Sequence, residues 1–296
     1  LGPELVGNAP VVSNPGVYTV RANAGPVGCF AEDTVTVTEN KTPPNANAGA
    51  DKELTCTVTS IALSGSSTTP GATFAWVASN GGNIVSGANT ATPTVNAAGT
   101  YTLTVTNPAN GCTATDVALV TLNNTPPNAN AGADKELNCT SKSVSLSGSS
   151  TTPGATFAWV ASNGGNIAFG ADTATPTVDA AGTYTLTVTN PDNGCTATDV
   201  ALVTLNNTPP NANAGDDAQI SCDTSTVQLS GSSTTMNVSF SWSTLDGNIV
   251  SGADTATPTV DMEGTYVLTV TDLSNGCTSQ DEVVVTRPEC EFFDGC

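Results

Sequence analysis

The chain has 296 residues, only 11% of them charged, and 26 acidic residues against 6 basic ones give a net charge of −20. Because Lys and Arg are the residues that bind phosphate groups, this charge excludes nucleic acids and anionic membrane surfaces as partners. No apolar run is long enough to span a bilayer, so the sequence predicts no membrane insertion.

The chain repeats itself about every 83 residues. Cysteines recur at Cys56, Cys139 and Cys222, and tryptophans at Trp76, Trp159 and Trp242. A fixed period of this kind indicates one folding unit copied in tandem. The register predicts five segments: the second half of a repeat at 1–41, repeat 1 at 42–124, repeat 2 at 125–207, repeat 3 at 208–289, and the start of a non-repeat segment at 290–296. The first segment implies that the chain is a window of a longer polypeptide.

Within repeat 1, short runs rich in Thr and Val alternate with Gly, Pro, Asn and Ser. This pattern is typical of strands in an antiparallel β-sandwich. It predicts strands at 52–57, 60–65, 73–78, 83–86, 92–96, 99–106 and 113–121. Comparison of the copies places the inward face of the last strand at 118 and 120. The predicted core comprises Leu63, Phe74, Trp76 and Tyr101.

Repeat 3 is one residue shorter than the others. Four residues at 80–83 become three at 246–248, and a deletion tolerated there indicates a hairpin turn. Between repeats the chain reads Asn-Thr-Pro-Pro at 124–127 and again at 207–210. Two prolines favour an extended, stiff connector, so the sequence predicts a rod of repeats joined end to end.

Nine cysteines, mostly in register, favour an oxidising compartment. The simplest connectivity is one disulfide within each repeat: Cys56/Cys112, Cys139/Cys195 and Cys222/Cys277. Closing a loop of that size stabilises a small domain by roughly 4 kcal/mol. Cys29 would pair with an upstream half-repeat, and Cys290 and Cys296 either pair with each other or belong to a following segment.

Several motifs resemble the Ig-like and PKD-like modules of very large surface adhesins of Bacteroidota, in particular the SprB-type gliding adhesins. They are Asn-Ala-Gly-Ala-Asp (47–51), Leu-Ser-Gly-Ser-Ser (63–67), Phe-Ala-Trp (74–76), Gly-Thr-Tyr-Thr-Leu-Thr-Val-Thr (99–106) and Asn-Gly-Cys-Thr (110–113). The run at 99–106 also resembles the tyrosine-corner strand of Ig sandwiches. The resemblance implies a tandem array of Ig-like/PKD-like β-sandwiches, secreted by the type IX system to the cell surface.

The sequence contains candidate sites for a bound metal ion and for a covalent modification. Asp51, Asp134 and Asp217 each follow a connector, where carboxylates could bind calcium; the sequence implies no other cofactor. The resemblance adds Asp-Thr tripeptides of the type that Bacteroidota O-glycosylate, which makes Thr34, Thr173 and Thr255 candidate sites. A solvated acidic surface and chance matches are the plain alternatives.

For function, the absence of histidine and of any Ser or Cys paired with a base predicts no enzyme activity. We expect a structural stalk that spaces a distal binding tip from the cell, with gliding motility or surface attachment as the role. An alternative is a set of accessory modules of a secreted polysaccharide- or protein-degrading enzyme, and a third is a subunit that assembles laterally. The expected partners are surface-anchoring and secretion machinery, and an extracellular surface or polysaccharide bound by regions outside this fragment.

Overall fold

The computed structural model describes residues 10–24 and 28–289. In these residues the regular secondary structure consists of β-strands, and no helix is present that could cross a membrane. The chain divides into two compact units, residues 1–124 and residues 125–296. The non-repeat segment at 290–296, including Cys290 and Cys296, lies outside the described residues.

The first unit begins with a hairpin. Strand β1 (Gly16–Ala24) pairs antiparallel with β2 (Cys29–Val37), and the register runs from Gly16↔Val37 to Ala24↔Cys29. These two strands are the period-mates of the last two strands of a full repeat. Their pairing is the one expected for the second half of a repeat.

Repeat 1 contains all seven predicted strands, arranged in two sheets. They are β3 (Lys52–Thr55), β4 (Ile61–Ala62), β5 (Thr73–Ser79), β6 (Ile84–Ser86), β7 (Thr94–Val95), β8 (Gly99–Thr106) and β9 (Thr113–Asn123). One sheet has the order β3-β9-β8-β5, and the other has the order β4-β7-β6. The first two strands are shorter than predicted; β3 ends at Thr55, whose hydroxyl accepts a hydrogen bond from the Val58 N–H at 3.0 Å.

Repeats 2 and 3 reproduce this arrangement strand for strand. The strands of repeat 2 are β10 (Lys135–Asn138), β11 (Val144–Ser145), β12 (Thr156–Ser162), β13 (Ile167–Phe169), β14 (Thr177–Val178), β15 (Gly182–Thr189) and β16 (Thr196–Asn206). Those of repeat 3 are β17 (Ala218–Gln219), β18 (Val227–Gln228), β19 (Val238–Thr244), β20 (Ile249–Ser251), β21 (Thr259–Val260), β22 (Gly264–Asp272) and β23 (Thr278–Thr286). The chain is therefore a tandem array of all-β, Ig-like sandwiches.

One pairing differs from the expected antiparallel sandwich. The first strand of each repeat lies parallel to the last strand: Lys52 pairs with Val120, and Thr55 with Asn123. The same parallel pairing joins β10 to β16 and β17 to β23. Both strands therefore run towards the same end of the repeat, where the connector to the next repeat begins.

The core of each repeat lies between the two sheets, on the faces predicted. In repeat 1, Leu63, Trp76 and Tyr101 are at most 4% exposed, and Phe74 packs against them half-buried. Along the last strand Ala118 and Val120 face inward, as predicted. Each repeat therefore has one small core, and the burial of this core alone stabilises the repeat only modestly.

The predicted tyrosine corner is present in every copy. The Tyr101 hydroxyl donates to the Ala97 carbonyl at 2.6 Å and accepts from the Asn83 N–H at 2.9 Å. Tyr184 and Tyr266 make the equivalent bonds to Ala180 and Met262. Since the tyrosine side chain is fully buried, these bonds satisfy a hydroxyl that would otherwise be costly to bury.

The hairpin turn that was predicted from the one-residue deletion in repeat 3 is also confirmed. Asn80 and Gly81 connect β5 and β6 with positive φ angles of 52° and 90°. In repeat 3 the shorter turn is closed by side chains instead: Thr244 Oγ1 accepts from the Gly247 N–H, and Asp246 Oδ1 accepts from the Thr265 N–H, each at 2.9 Å.

Candidate functional site: the junction between consecutive repeats

The two cysteines of one repeat lie at opposite ends of its last strand. Cys56 directly follows β3, and its Sγ is 4.0 Å from the Asn124 carbonyl oxygen just beyond β9, whereas Cys112 directly precedes β9. The 11 residues of β9 separate the two ends by roughly 35 Å at about 3.3 Å per residue. A disulfide needs Cα atoms within about 7 Å, so the predicted pairing within a repeat is geometrically impossible.

The structure shows a different disulfide, between consecutive repeats. Cys139 of repeat 2 is bonded to Cys277 of repeat 3, with their Cα atoms 5.0 Å apart and a sequence separation of 138. The predicted pairs Cys139/Cys195 and Cys222/Cys277 are therefore wrong. Cys56, Cys195 and Cys222 are also disulfide-bonded, while Cys112 and Cys29 are free thiols, so the pair Cys56/Cys112 is wrong as well.

The disulfide lies within a close backbone contact. The Cys139 N–H donates to the Asn275 carbonyl at 3.1 Å, which joins the turn after β10 to the turn before β23. Gly276 has a φ of +67°, and a Cβ at this position would overlap the Thr140 side chain. We call this set, Cys139, Thr140, Asn275, Gly276 and Cys277, the junction.

Asn275 connects the junction to the connector as well. Its side chain is 2% exposed; its Oδ1 accepts from the Cys277 N–H at 2.9 Å, and its Nδ2 donates to Asn206 Oδ1 at 3.0 Å and to the Thr208 carbonyl at 2.9 Å. One buried amide therefore holds the end of repeat 2, the connector and the last strand of repeat 3 together.

The same amide contact recurs in the other repeats. Asn110 donates to Asn40 Oδ1 and to the Thr42 carbonyl, and Asn193 donates to the Thr125 carbonyl at 2.9 Å. These asparagines were not singled out as site residues in the sequence. The signal was available, because each full repeat places Asn-Gly directly before its second cysteine, at 110–112, 193–195 and 275–277.

The connector after the two prolines is tied to the repeat that follows it. In repeat 2, Asn128 Oδ1 accepts from the Thr151 N–H at 2.8 Å, and Asn130 forms a β-bridge with Ser149. The Ala131 N–H donates to Asp199 Oδ2 at 2.8 Å, and this bond is the main cause that lowers the pKa of the Asp199 carboxyl. The equivalent bond from the Ala48 N–H similarly lowers the pKa of Asp116 in repeat 1.

The calcium candidates occupy a structural position. Asp51, Asp134 and Asp217 each use one carboxylate oxygen to accept a backbone N–H of the last strand, from Leu119, Leu202 and Val284, at 2.8, 2.8 and 2.9 Å. Among residues 10–24 and 28–289, no group of three or more His, Cys, Asp or Glu side chains is placed to hold a metal ion. Calcium binding at these positions stays a prediction.

The candidate glycosylation sites are all exposed. Thr34 lies on β2, and Thr173 and Thr255 lie in equivalent loops of repeats 2 and 3. The hydroxyls of Thr173 and Thr255 donate to the carbonyls of Gly170 and Gly252 at 2.8 Å. Glycosylation there would replace this donor, and it also stays a prediction.

Comparisons with known proteins agree with the repeat type. Residues 41–122 match the profile of a PKD-like domain. The dyslexia-associated protein KIAA0319-like protein of Mus musculus is 30% identical over 317 aligned residues, which cover 93% of this chain but only 30% of the relative. The chain therefore spans less than a third of that relative's length.

Solved structures that align with this chain include fragments made of several Ig domains. The I67–I69 fragment from the titin I-band has a TM-score of 0.36 at 14% identity and covers 84% of this chain and 99% of the fragment. The N-terminal eight Ig domains of Down Syndrome Cell Adhesion Molecule give a TM-score of 0.37 at 13% identity, with coverage of 95% and 40%. The assignment of an Ig-like sandwich rests on the sheet order and the tyrosine corners described above.

Proposed function

We propose that the chain is a load-bearing spacer of an extracellular, cell-surface adhesin, without enzymatic activity of its own. The observation that carries this proposal is the disulfide between Cys139 and Cys277, which joins consecutive repeats. A disulfide inside a domain stabilises that domain alone. A disulfide between domains holds the junction itself, and this is the property that a spacer under load requires.

The position of the bond determines the path of a pulling force. Force that enters at β10 and leaves at β23 passes directly from Cys139 to Cys277. The 138 residue steps between them, corresponding to about 450–500 Å of extended chain, are bypassed as long as the bond is intact. While the bond is intact, unfolding of the bypassed strands adds no length between these two points.

The surroundings of the cell surface are consistent with this role. Disulfides persist in oxidising, extracellular compartments, and the net charge of −20 keeps neighbouring molecules apart in solution. We assign the parent protein to the SprB-type adhesins of Bacteroidota, exported by type IX secretion for gliding or attachment, on the motifs quoted from its sequence. Its binding tip and its anchor would lie in other segments of that protein.

Single-molecule pulling of the complete 296-residue chain tests the spacer role. Pulling handles are attached at Ala133 and Glu289, which flank the bond, by a chemistry that does not react with cysteine. We expect an extension of no more than about 60 Å under oxidising conditions and a further gain of about 450–500 Å after reduction.

The double variant Cys139→Ser/Cys277→Ser is the matched control. It should exceed the 60 Å limit (about 18 residue steps) without any reductant. An equal extension of the wild-type chain with and without reductant would overturn the proposal, because the bond would then not carry the force.

A further inference from the structure

The turn around Cys112 in repeat 1 corresponds to the part of the junction that repeat 3 contributes. In the part of the chain that the structure describes, no counterpart of Cys139 and Thr140 from a preceding repeat is bonded to it. In repeat 3 the corresponding cysteine, Cys277, is 1% exposed and bonded to Cys139, whereas Cys112 is partly exposed and free. Cys195, the third residue at this position, is also disulfide-bonded. Of the three full repeats, only repeat 1 leaves this thiol free.

We propose that the turn containing Cys112 is a docking and disulfide site for the first-strand turn of another repeat placed immediately before repeat 1. The occupant is a Cys-Thr turn of the kind seen at Cys139 and Thr140. This inference shares the junction with the proposed function but does not depend on the spacer role.

The first argument is that the turn is already formed. The Asn107 N–H donates to the Cys112 carbonyl at 2.9 Å, and the Gly111 N–H donates to the Asn107 carbonyl at 2.8 Å. The bonds of Asp272, Gly276 and Cys277 in repeat 3 have the same donors and acceptors at the same distances. Asn110 Oδ1 accepts from the Cys112 N–H at 2.9 Å, as Asn275 does for Cys277. The free turn thus has the conformation of the occupied one.

The second argument is the space beside Gly111. A Cβ at Gly276 would overlap Thr140, but a Cβ at Gly111 would meet no atom within 4 Å, although both glycines have similar positive φ angles of 67° and 72°. The volume that Thr140 occupies at the junction is therefore open in repeat 1. A threonine following the incoming cysteine fits this space.

The third argument concerns the shape of the incoming turn. At Asn138 the side-chain Oδ1 accepts from the Thr140 and Ser141 N–H groups, and the Asn138 N–H donates to the Ser141 carbonyl at 3.0 Å. In repeat 1 the Thr55 N–H donates to the Val58 carbonyl at 3.0 Å, so a Thr-Cys-Thr first strand forms the same turn. Repeats 1 and 2 therefore present the first cysteine in the same backbone turn, and a copy of repeat 1 carries the form that docks.

The covalent step is a two-electron oxidation. The Cys112 thiol and the incoming thiol each lose a proton, one S–S bond forms between them, and two electrons pass to a disulfide oxidant. The oxidant, a small-molecule or protein disulfide, is cleaved to two thiols by exchange through a mixed disulfide.

The test extends the complete chain by one repeat. A copy of residues 42–124 is inserted before residue 42, with Val58→Ile in the copy as a mass tag, and the protein is folded with oxidised glutathione. Proteolysis without reduction, followed by mass spectrometry, should find Cys112 bonded to the tagged copy of Cys56. Alkylation of Cys112 should fall about tenfold relative to the chain without the insert.

Two control variants sharpen the result. In the extended chain, Cys56→Ser within the copy should restore alkylation of Cys112. Gly111→Ala should lower the yield of the bond, because its Cβ would occupy the space for the incoming threonine. Cys112 that remains fully alkylated in the extended chain, or that bonds instead to Cys29 or to a second molecule, would overturn the proposal.

Discussion

Gly276 of repeat 3 packs so closely on Thr140 of repeat 2 that no side chain fits between them. The contact lies beside the disulfide of Cys139 and Cys277, so covalent and non-covalent links coincide at one point. The consequence is that small changes on either side of this point should loosen the junction before they affect either core.

Gly276→Ala should therefore destabilise the junction more than Gly111→Ala does. Both substitutions place Ala at a positive φ, which costs about 1–2 kcal/mol, but only the first adds an overlap with a neighbouring side chain, worth about 1–3 kcal/mol more. Calorimetry of the complete chain and the rate of reduction of the disulfide by a thiol both measure the difference. Equal effects of the two substitutions would contradict the contact.

Asn275→Ala should weaken the same junction through its hydrogen bonds. The variant leaves the buried Cys277 N–H, the Asn206 Oδ1 and the Thr208 carbonyl without this partner, at about 1–3 kcal/mol for each buried group left unpaired. Asn110→Ala is the matched control, because Asn110 makes equivalent bonds in a more exposed setting. Hydrogen exchange of the Cys277 amide should accelerate in the first variant, and the control should change less at the Cys112 amide.

Tyr101→Phe should lower the stability of repeat 1 by about 1–3 kcal/mol. The substitution removes a buried donor to Ala97 and leaves the Asn83 N–H without its acceptor. Tyr18→Phe removes a similar bond to Asn14 in an exposed setting and should cost less. Chemical denaturation of both variants measures the two losses, and a larger loss for Tyr18→Phe would be inconsistent with the burial of Tyr101.

The stability of repeat 1 should fall in acid because of Asp116. The N–H groups of Ala48 and then Val117 hold the pKa of this carboxyl below its usual value of about 3.9. The folded chain therefore binds fewer protons than the unfolded chain between the two pKa values, and stability rises with pH across that window. The contribution is complete above about pH 4 and is lost as the pH falls through the folded value.

Asp116→Asn should remove this pH dependence. We expect the variant to be less stable than the wild type at neutral pH by roughly 1 kcal/mol, and the gap to be smaller at about pH 2. Denaturation followed by tryptophan fluorescence at both pH values measures it. Glu53→Gln, at an exposed position, controls for the change in net charge, and an unchanged gap in acid would contradict the assignment.

Asp134→Ala distinguishes a structural carboxylate from a calcium ligand. We expect a loss of about 1–2 kcal/mol, because the Leu202 N–H loses a charged acceptor, and we expect the same loss with calcium or with a chelator. Asp192→Ala, on the exposed turn after β15, is the control. A loss that appears only in the presence of calcium would instead establish a calcium site.

Much of the structure of each repeat could be predicted because it follows from local sequence patterns. The alternation at 99–106 identified the inward side chains Tyr101, Leu103 and Val105, and the four copies of the last strand identified Ala118 and Val120. The missing residue in repeat 3 located a turn. These predictions succeed because the side chains of a strand alternate between faces whatever the strand pairs with.

The prediction of the cysteine pairing was wrong for the same reason. A strand that pairs in parallel has the same alternation as one that pairs antiparallel, so nothing in residues 52–56 states that β3 runs alongside β9 in the same direction. An antiparallel pairing would have brought Cys56 next to Cys112. The parallel pairing sends them to opposite ends of the repeat.

Local periodicity and composition were enough to predict the repeat length, the strands, the core faces and the presence of disulfides. The disulfide between neighbouring repeats became visible only in the folded chain. That pairing depends on which ends of two strands meet in space, and the meeting of Cys139 with Cys277 across the connector has no counterpart in any local pattern.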